Sequence, residues 1–167
     1  GSWGDAGVYS FYGTKTISTG EGGMLVSRHP ELIEFARRYR NYGKPDHRVE
    51  GLNYRMSEFT AALGAVQADR MEEIVAWKRR VAEETLDPRY AKRLRLPEGM
   101  RSGYYKYIVF EPVDRSTGKV YDQLCHTLLK QPGKFPNAEW VTRNHWCVPL
   151  YYHPAQAPGA AGRSDGA

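Results

Sequence analysis

Apolar and polar residues in the first part of the chain follow patterns that predict two short strands and a helix. Residues 7–11 (GVYSF) and 23–27 (GMLVS) are rich in β-branched and aromatic side chains and are bounded by turn residues. Each is therefore predicted to be a strand of a buried sheet. The loop between them carries Lys15. From Pro30 onward, apolar residues recur at helical spacing until Gly43, which predicts a helix of medium length.

A longer apolar stripe follows this helix. Ser57 stands where its hydroxyl can cap a helix, and the apolar positions after it repeat at helical spacing. The pattern predicts one long helix, broken near Asp69, that runs to about Leu86. Pro88 then stops or kinks it, because proline has no backbone N–H to donate.

The sequence changes character after Pro97. Residues 104–113 (YYKYIVFEPV) alternate like a strand, residues 118–130 have a helical pattern, and residues 144–152 (NHWCVPLYY) indicate another strand. This order of elements predicts a small α/β domain. Residues 154–167 contain almost nothing to bury, so they are predicted to be a disordered tail or an artificial extension.

Composition favours a soluble globular protein. Of the 167 residues, 26% are charged and 41% are hydrophobic. The sequence contains no apolar run near the ~20 residues of a membrane helix and no signal-peptide pattern, which predicts a cytoplasmic protein without membrane contact.

The formal net charge of +5 raises the possibility of nucleic-acid binding. Acidic residues accompany the basic ones along the helices, as in residues 69–84, so solvated helix faces explain the charge better. Cys125 and Cys147 have no metal-binding or CxxC spacing and are predicted to be free buried thiols. His145 and His153 also lack metal-like spacing and are predicted to be structural or surface residues, so no metal site is expected.

Lys15 is the first candidate for chemistry. A lysine performs covalent chemistry when its amine is neutral, because the neutral amine can form a Schiff base with a carbonyl group. Taken alone, a lysine between two strands is more often an ordinary solvated side chain. Its neighbours change this interpretation.

Three stretches together resemble one known family. Residues 4–27 (GDAGVYSFYGTKTISTGEGGMLVS), 37–43 (RRYRNYG) and 51–73 (GLNYRMSEFTAALGAVQADRMEE) occur in this order. They resemble the sugar aminotransferases of the DegT/DnrJ/EryC1/StrS family, which use pyridoxal phosphate. The resemblance implies an α/β fold, namely the C-terminal part of a fold-type-I pyridoxal phosphate-dependent transferase.

The same resemblance divides the chain into four parts. Residues 1–55 are expected to be the end of the cofactor-binding large domain with the lysine loop, and residues 56–95 a long linking helix region. Residues 96–153 are expected to form a small C-terminal α/β domain, followed by the tail at 154–167.

The family resemblance also implies roles for three residues. Lys15 matches the lysine that holds pyridoxal phosphate covalently and then acts as general acid and base. Ser10 matches a serine that binds the cofactor phosphate, although a strand-end serine bonded to the backbone is the alternative. Asn53 matches an asparagine that reaches the phosphate of the neighbouring subunit's cofactor, and a turn-forming asparagine is its alternative.

The implied function is transfer of an amino group, usually from glutamate in this family, to a keto group of a nucleotide-linked sugar. Relatives that deoxygenate sugars carry histidine at the lysine position, so Lys15 argues for amino transfer. The implied partners are the nucleotide sugar, the amino donor and a second copy of the chain in a homodimer with shared active sites, with no nucleic acid.

The sequence also departs from the family pattern. The resemblance extends to about Pro154 but begins inside the large domain, so the isolated chain is expected to bind cofactor weakly and not to turn over. A sheet without its earlier strands is expected to have exposed edges. Residues 129–135 also lack a longer loop that usually contacts substrate. The alternative function is a noncatalytic fragment or dimerisation module of a truncated or split aminotransferase gene.

Overall fold

The computed structural model describes residues 3–152 and divides the chain into two compact units. Unit 1 is Gly1–Met71 and unit 2 is Glu72–Ala167. The predicted tail at residues 154–167 and His153 lie outside the described residues. The predicted boundaries after residues 55 and 95 stay predictions.

Unit 1 begins with a β-hairpin. β1 (Ala6–Ser10) and β2 (Gly23–Ser27) pair antiparallel, with Ala6 opposite Ser27 and Ser10 opposite Gly23. Both predicted strands are therefore present. The sheet is not buried, however, since the side chain of Val8 is 82% exposed. Among the described residues the hairpin has only two strands and β1 has no second layer over it, which explains the difference.

Two helices complete unit 1. α1 (Pro30–Tyr39) follows β2 and begins with a proline, as expected for a first helical turn. α2 (Glu58–Asp69) begins after Ser57, whose Oγ accepts a hydrogen bond of 3.2 Å from the backbone N–H of Thr60. Ser57 is thus the predicted helix cap.

Unit 2 is built around the continuation of the helical region. α3 (Met71–Val81) starts after a break at Arg70, close to the predicted position. A π-helical segment (Ala82–Leu86) and a short helix α4 (Asp87–Arg89) follow. The wider π-helical turn directly precedes Pro88, which cannot donate the next helical hydrogen bond.

The remaining elements of unit 2 are short. β3 (Tyr107–Val109) pairs antiparallel with β4 (Trp146–Val148), and helices α5 (Cys125–Leu128) and α6 (Pro136–Asn144) lie between them in the sequence. The side chains of one buried cluster form the core of this unit: Trp77, Ala82, Leu86, Tyr107, Val109, Val148 and Leu150. Unit 2 thus combines helices with a two-stranded sheet, and the predicted small domain at residues 96–153 stays a prediction.

Two predictions for unit 2 are wrong in detail. The helix predicted over residues 118–130 is restricted to α5, because the preceding backbone bonds elsewhere: the N–H of Thr117 donates to Cys147 O and that of Val120 to His145 Nε2. Cys125 was predicted to be buried and is exposed, whereas Cys147 is buried as expected. Burial raises the pKa of the Cys147 thiol.

His145 has a structural role, as predicted. Its side chain is buried, Nδ1 lies 2.6 Å from the carbonyl oxygen of Val141, and Nε2 accepts a hydrogen bond of 3.0 Å from the N–H of Val120. The ring thus joins α6 to the loop before α5. Within residues 3–152, no helix combines the length and the apolar character needed to cross a membrane.

Candidate functional site

The loop that joins β1 to β2, here called the lysine loop (residues 11–22), is closed by two backbone hydrogen bonds. The N–H of Phe11 donates to Gly22 O at 2.9 Å, and the N–H of Thr19 donates to Phe11 O at 2.9 Å. Both bonds lie where the loop leaves the hairpin. Residues 12–18 therefore form an arch whose two ends are tied together.

Thr19 is the anchor of this closure. It is one of the few buried polar residues in the described chain, and its Oγ1 donates to Glu21 O at 2.8 Å. Gly22 lies against it with φ +155°, and a Cβ at Gly22 would come within 2.6 Å of Thr19 Oγ1. A side chain at this position would force the closed end of the loop apart.

Lys15 lies on the arch and is partly buried. Its backbone N–H donates to Tyr12 O at 2.9 Å, which forms a turn at the top of the loop. The amine is therefore carried by a short turn on a closed loop rather than by a free segment.

Ser10 is the last residue of β1 and is exposed. Its Oγ accepts a hydrogen bond of 3.3 Å from the N–H of Tyr12, which agrees with the backbone-bonding alternative. A hydroxyl that accepts in this way keeps its own O–H to donate. Opposite Ser10, a Cβ on Gly23 would lie 2.9 Å from Tyr9 O, so glycine allows the strands to approach closely here. The hairpin thus brings Ser10 and Lys15 to one end of one structural element.

Asn53 lies on a separate segment of unit 1. The N–H of Leu52 donates to Tyr39 O at 2.7 Å and that of Tyr54 donates to Arg40 O at 3.0 Å, so the segment runs along the end of α1. Asn53 Oδ1 accepts from Arg55 through its N–H at 3.4 Å and its Nε at 3.2 Å. Because Arg55 contacts only the oxygen in these two bonds, they do not use the NH₂ group of Asn53.

An ion-pair network holds the loop between α1 and Asn53. Arg38 lies within 3.0 Å of Glu34 and 2.6 Å of Asp46. The hydrogen bond donated by Arg38 lowers the pKa of Asp46, and the hydrogen bonds that Arg38 donates to Glu34 and, second, to Asp46 raise the pKa of Arg38. These contacts fix the end of α1, against which the Asn53 segment pairs.

An apolar cavity of about 290 Å³ lies between the lysine loop and α2. Ile17 and Thr19 line it from the loop, and Met56 and Gly64 line it from the region of α2. A Cβ on Gly64 would lie 3.1 Å from the Thr19 methyl group, so the small residue lets helix and loop approach. Sequence reasoning missed Thr19, Met56 and Gly64. The hydroxyl residue just before GEGG was the only local signal for any of them.

Titratable groups give no indication of a metal. Within residues 3–152, no group of three or more His, Cys, Asp or Glu side chains could hold a metal ion.

Comparison with known proteins gives a family match over the first part of the chain. Residues 1–95 match the DegT/DnrJ/EryC1/StrS aminotransferase family. A GDP-perosamine synthase of Vibrio cholerae is 40% identical over 88 residues, which are 50% of this chain and 24% of that protein. A dTDP-4-dehydro-2,3,6-trideoxy-D-glucose 4-aminotransferase of Saccharopolyspora spinosa is 28% identical over 96% of this chain and 45% of its own length.

A solved aminotransferase structure has a similar fold. The aminotransferase TlmJ from Streptoalloteichus hindustanus is 30% identical, with a TM-score of 0.78 over 90% of this chain and 48% of its own. The chain thus spans at most about half the length of these relatives.

The chain belongs to the DegT/DnrJ/EryC1/StrS aminotransferase family. The family resemblance and the predicted fold class, the α/β C-terminal part of a fold-type-I transferase, are both confirmed.

We predict that Gly22→Ala opens the lysine loop, whereas Gly13→Ala does not. Gly13 lies in the same loop, and a Cβ there would meet nothing closer than 3.9 Å. The Gly22 substitution should make the closed loop less stable by roughly 1–3 kcal/mol. The rate of trypsin cleavage after Lys15 should then rise about tenfold for each ~1.4 kcal/mol by which the closed loop is destabilised. Equal cleavage rates in the two variants would show that the closed end does not restrain the loop.

Proposed function

We propose that this chain supplies the lysine half of the active site of a pyridoxal phosphate-dependent aminotransferase. The enzyme transfers an amino group to a keto group of a nucleotide-linked sugar. The observation that carries the proposal is the closed lysine loop, which begins directly after Ser10 and carries Lys15 in a stretch that matches an aminotransferase family.

Ser10 and Lys15 fit two groups of the cofactor, its phosphate and its aldehyde. Ser10 retains an O–H to donate to an anionic phosphate, and Lys15 provides a primary amine for an aldehyde. When bound, the cofactor supplies an electron sink for the reacting carbon. Lys15 Nζ would hold the cofactor and then, once released, carry the proton to and from that carbon.

The names of the relatives support the substrate class. Two of them are a GDP-perosamine synthase and a dTDP-sugar 4-aminotransferase. We accordingly assign a nucleotide sugar as the amino acceptor. Glutamate as the donor and a cytoplasmic location follow from the family resemblance and the soluble composition.

Asn53 is proposed to act on the neighbouring subunit of a homodimer. Asn53 is exposed, and its Oδ1 accepts from Arg55 in two hydrogen bonds that do not use the NH₂ group. An uncharged amide donor suits a phosphate that already has other donors. The two active sites would then each contain residues of both chains.

One observation favours a second candidate function, a noncatalytic dimerisation module. On α2, Phe59 is 90% exposed and Val66 is 56% exposed, and apolar side chains exposed on one helix indicate association. This candidate needs the contact surface but no reactive amine, so labelling of Lys15 distinguishes the two.

We predict that pyridoxal phosphate forms a reducible bond with Lys15 in preference to the other lysines. The chain is treated with limiting cofactor, reduced with borohydride and mapped by peptide mass spectrometry. Lys15→Ala should remove the main adduct, whereas Lys44→Ala, a substitution on an exposed loop of the same unit, should leave it in place. Adducts spread evenly over the lysines, or an unchanged pattern in Lys15→Ala, would favour the noncatalytic module.

We also predict that Ser10→Ala weakens the binding of pyridoxal phosphate but not that of pyridoxal, which lacks the phosphate. A hydrogen bond to a charged group contributes roughly 1.5–3 kcal/mol, or about tenfold or more in affinity. Ser18→Ala is the control, since this serine lies in the lysine loop and its Oγ accepts from the N–H of Gly20 at 3.0 Å. Equal losses of affinity for pyridoxal phosphate and pyridoxal would show that Ser10 does not bind the phosphate.

The shared-site proposal predicts complementation in the whole enzyme between Lys15→Ala and Asn53→Ala subunits. If Asn53 serves its neighbour, a mixed dimer contains one site with both residues intact, although each parent dimer has none. Co-expression should therefore restore cofactor absorbance and activity. If Asn53 served its own subunit, every site in the mixed dimer would still be defective and nothing would be restored.

A further inference from the structure

Unit 2 contains a polar cavity of about 300 Å³ that the aminotransferase proposal does not use. Four basic and two acidic side chains line it: Arg93, Arg95, Arg101, Lys106, Glu83 and Asp87. At neutral pH these side chains carry a net positive charge. A cavity with such an excess attracts anions.

Both carboxylates of the cavity are engaged with arginines. Arg93 Nε lies 2.8 Å from Asp87, and its Nη1 donates to Tyr90 O at 3.2 Å. Arg101 Nη2 donates to both oxygens of Glu83 at 3.0 Å. The two pairs order the walls and leave no acidic group of the cavity for the other cations.

Arg95 and Lys106 provide the positive charge that remains. Within residues 3–152, neither has a carboxylate within 4.0 Å. Lys106 Nζ lies 5.4 Å from the centre of the Tyr105 ring. Two cations on the wall of one cavity without a counter-ion repel each other, and a bound anion would offset that repulsion.

A third cation adds to this repulsion. The ammonium of Lys78 is buried and donates to Leu150 O at 3.2 Å and Tyr104 O at 3.4 Å, with no carboxylate at hand in the described chain. Burial lowers the pKa of Lys78, and the charge of Lys106 lowers it further. The charge of Lys106 therefore acts on the amine of Lys78.

The backbone beside the cavity is held in an uncommon conformation. Tyr104, which lines the cavity, has φ +49°, a value that costs energy for a residue other than glycine. Ser102 Oγ accepts from the N–H of Tyr104 at 2.8 Å, and Lys78 and Arg79 donate to the carbonyls of Tyr104 and Ser102. Strain that neighbouring contacts maintain is a recurring feature of ligand sites.

We propose that this cavity binds the phosphate group of a small molecule, with Arg95 and Lys106 as its direct ligands. The guanidinium of Arg95 can donate two parallel hydrogen bonds to phosphate oxygens, and the ammonium of Lys106 acts as a point charge. The paired residues Arg93 and Arg101 line the same cavity. The site lies wholly in unit 2 and does not depend on the proposed role of Lys15.

The test measures binding of inorganic phosphate to the full chain by titration calorimetry. The double variant Arg95→Gln/Lys106→Gln is compared with Arg115→Gln/Lys134→Gln, which removes the same charge at exposed positions outside the cavity. The cavity variant should lose about tenfold or more in affinity, and the control should lose little. Circular dichroism checks that both variants fold, and the single variant Arg95→Gln replaces the double variant if it does not fold.

Two further ligands are titrated: succinate, a dianion without phosphorus, and a nucleoside monophosphate. Tighter binding of phosphate or the nucleotide than of succinate supports a phosphate site. The difference in affinity between phosphate and the nucleotide then shows whether the nucleoside is also recognised. Equal losses in the cavity and control variants, tighter binding of succinate, or no saturable binding of phosphate would overturn the proposal.

Discussion

Closure of the lysine loop is the constraint on which the proposed chemistry depends. Two backbone hydrogen bonds, from Phe11 to Gly22 and from Thr19 to Phe11, tie the ends of the loop together. A covalent lysine must reach the same atom in every catalytic cycle, so its loop has to be ordered before the cofactor arrives. The buried Thr19 and the absence of a side chain at Gly22 make that order possible.

The features that sequence reasoning predicted well are those encoded by neighbouring residues. The strands on either side of Lys15, the proline at the start of α1 and the cap at Ser57 all follow from patterns within a few residues. The break predicted near Asp69 lies next to the observed one at Arg70. Lys15 and Ser10 were singled out because both belong to one continuous motif, and their roles stay predictions.

The features that sequence reasoning missed depend on contacts between distant residues. Residues 118–124 have a helical pattern but do not form a helix, since the backbone of Thr117 and Val120 bonds to residues about 25 to 30 positions away. The contact of Gly64 with Thr19 joins α2 to the loop and has no local signature. The exposure of β1 depends on whether another element packs over the hairpin. The residue pattern within one strand does not contain that information.

Amide hydrogen exchange tests the central claim most directly, because it measures whether the lysine loop is closed before the cofactor binds. The N–H groups of Phe11 and Thr19 should exchange at least about tenfold more slowly than that of Gly13, which has no partner in the described chain. Adding pyridoxal phosphate should slow exchange further in the loop and leave Val109 in unit 2 unchanged. Exchange of Phe11 and Thr19 at the rate of Gly13, with no response to the cofactor, would contradict the account.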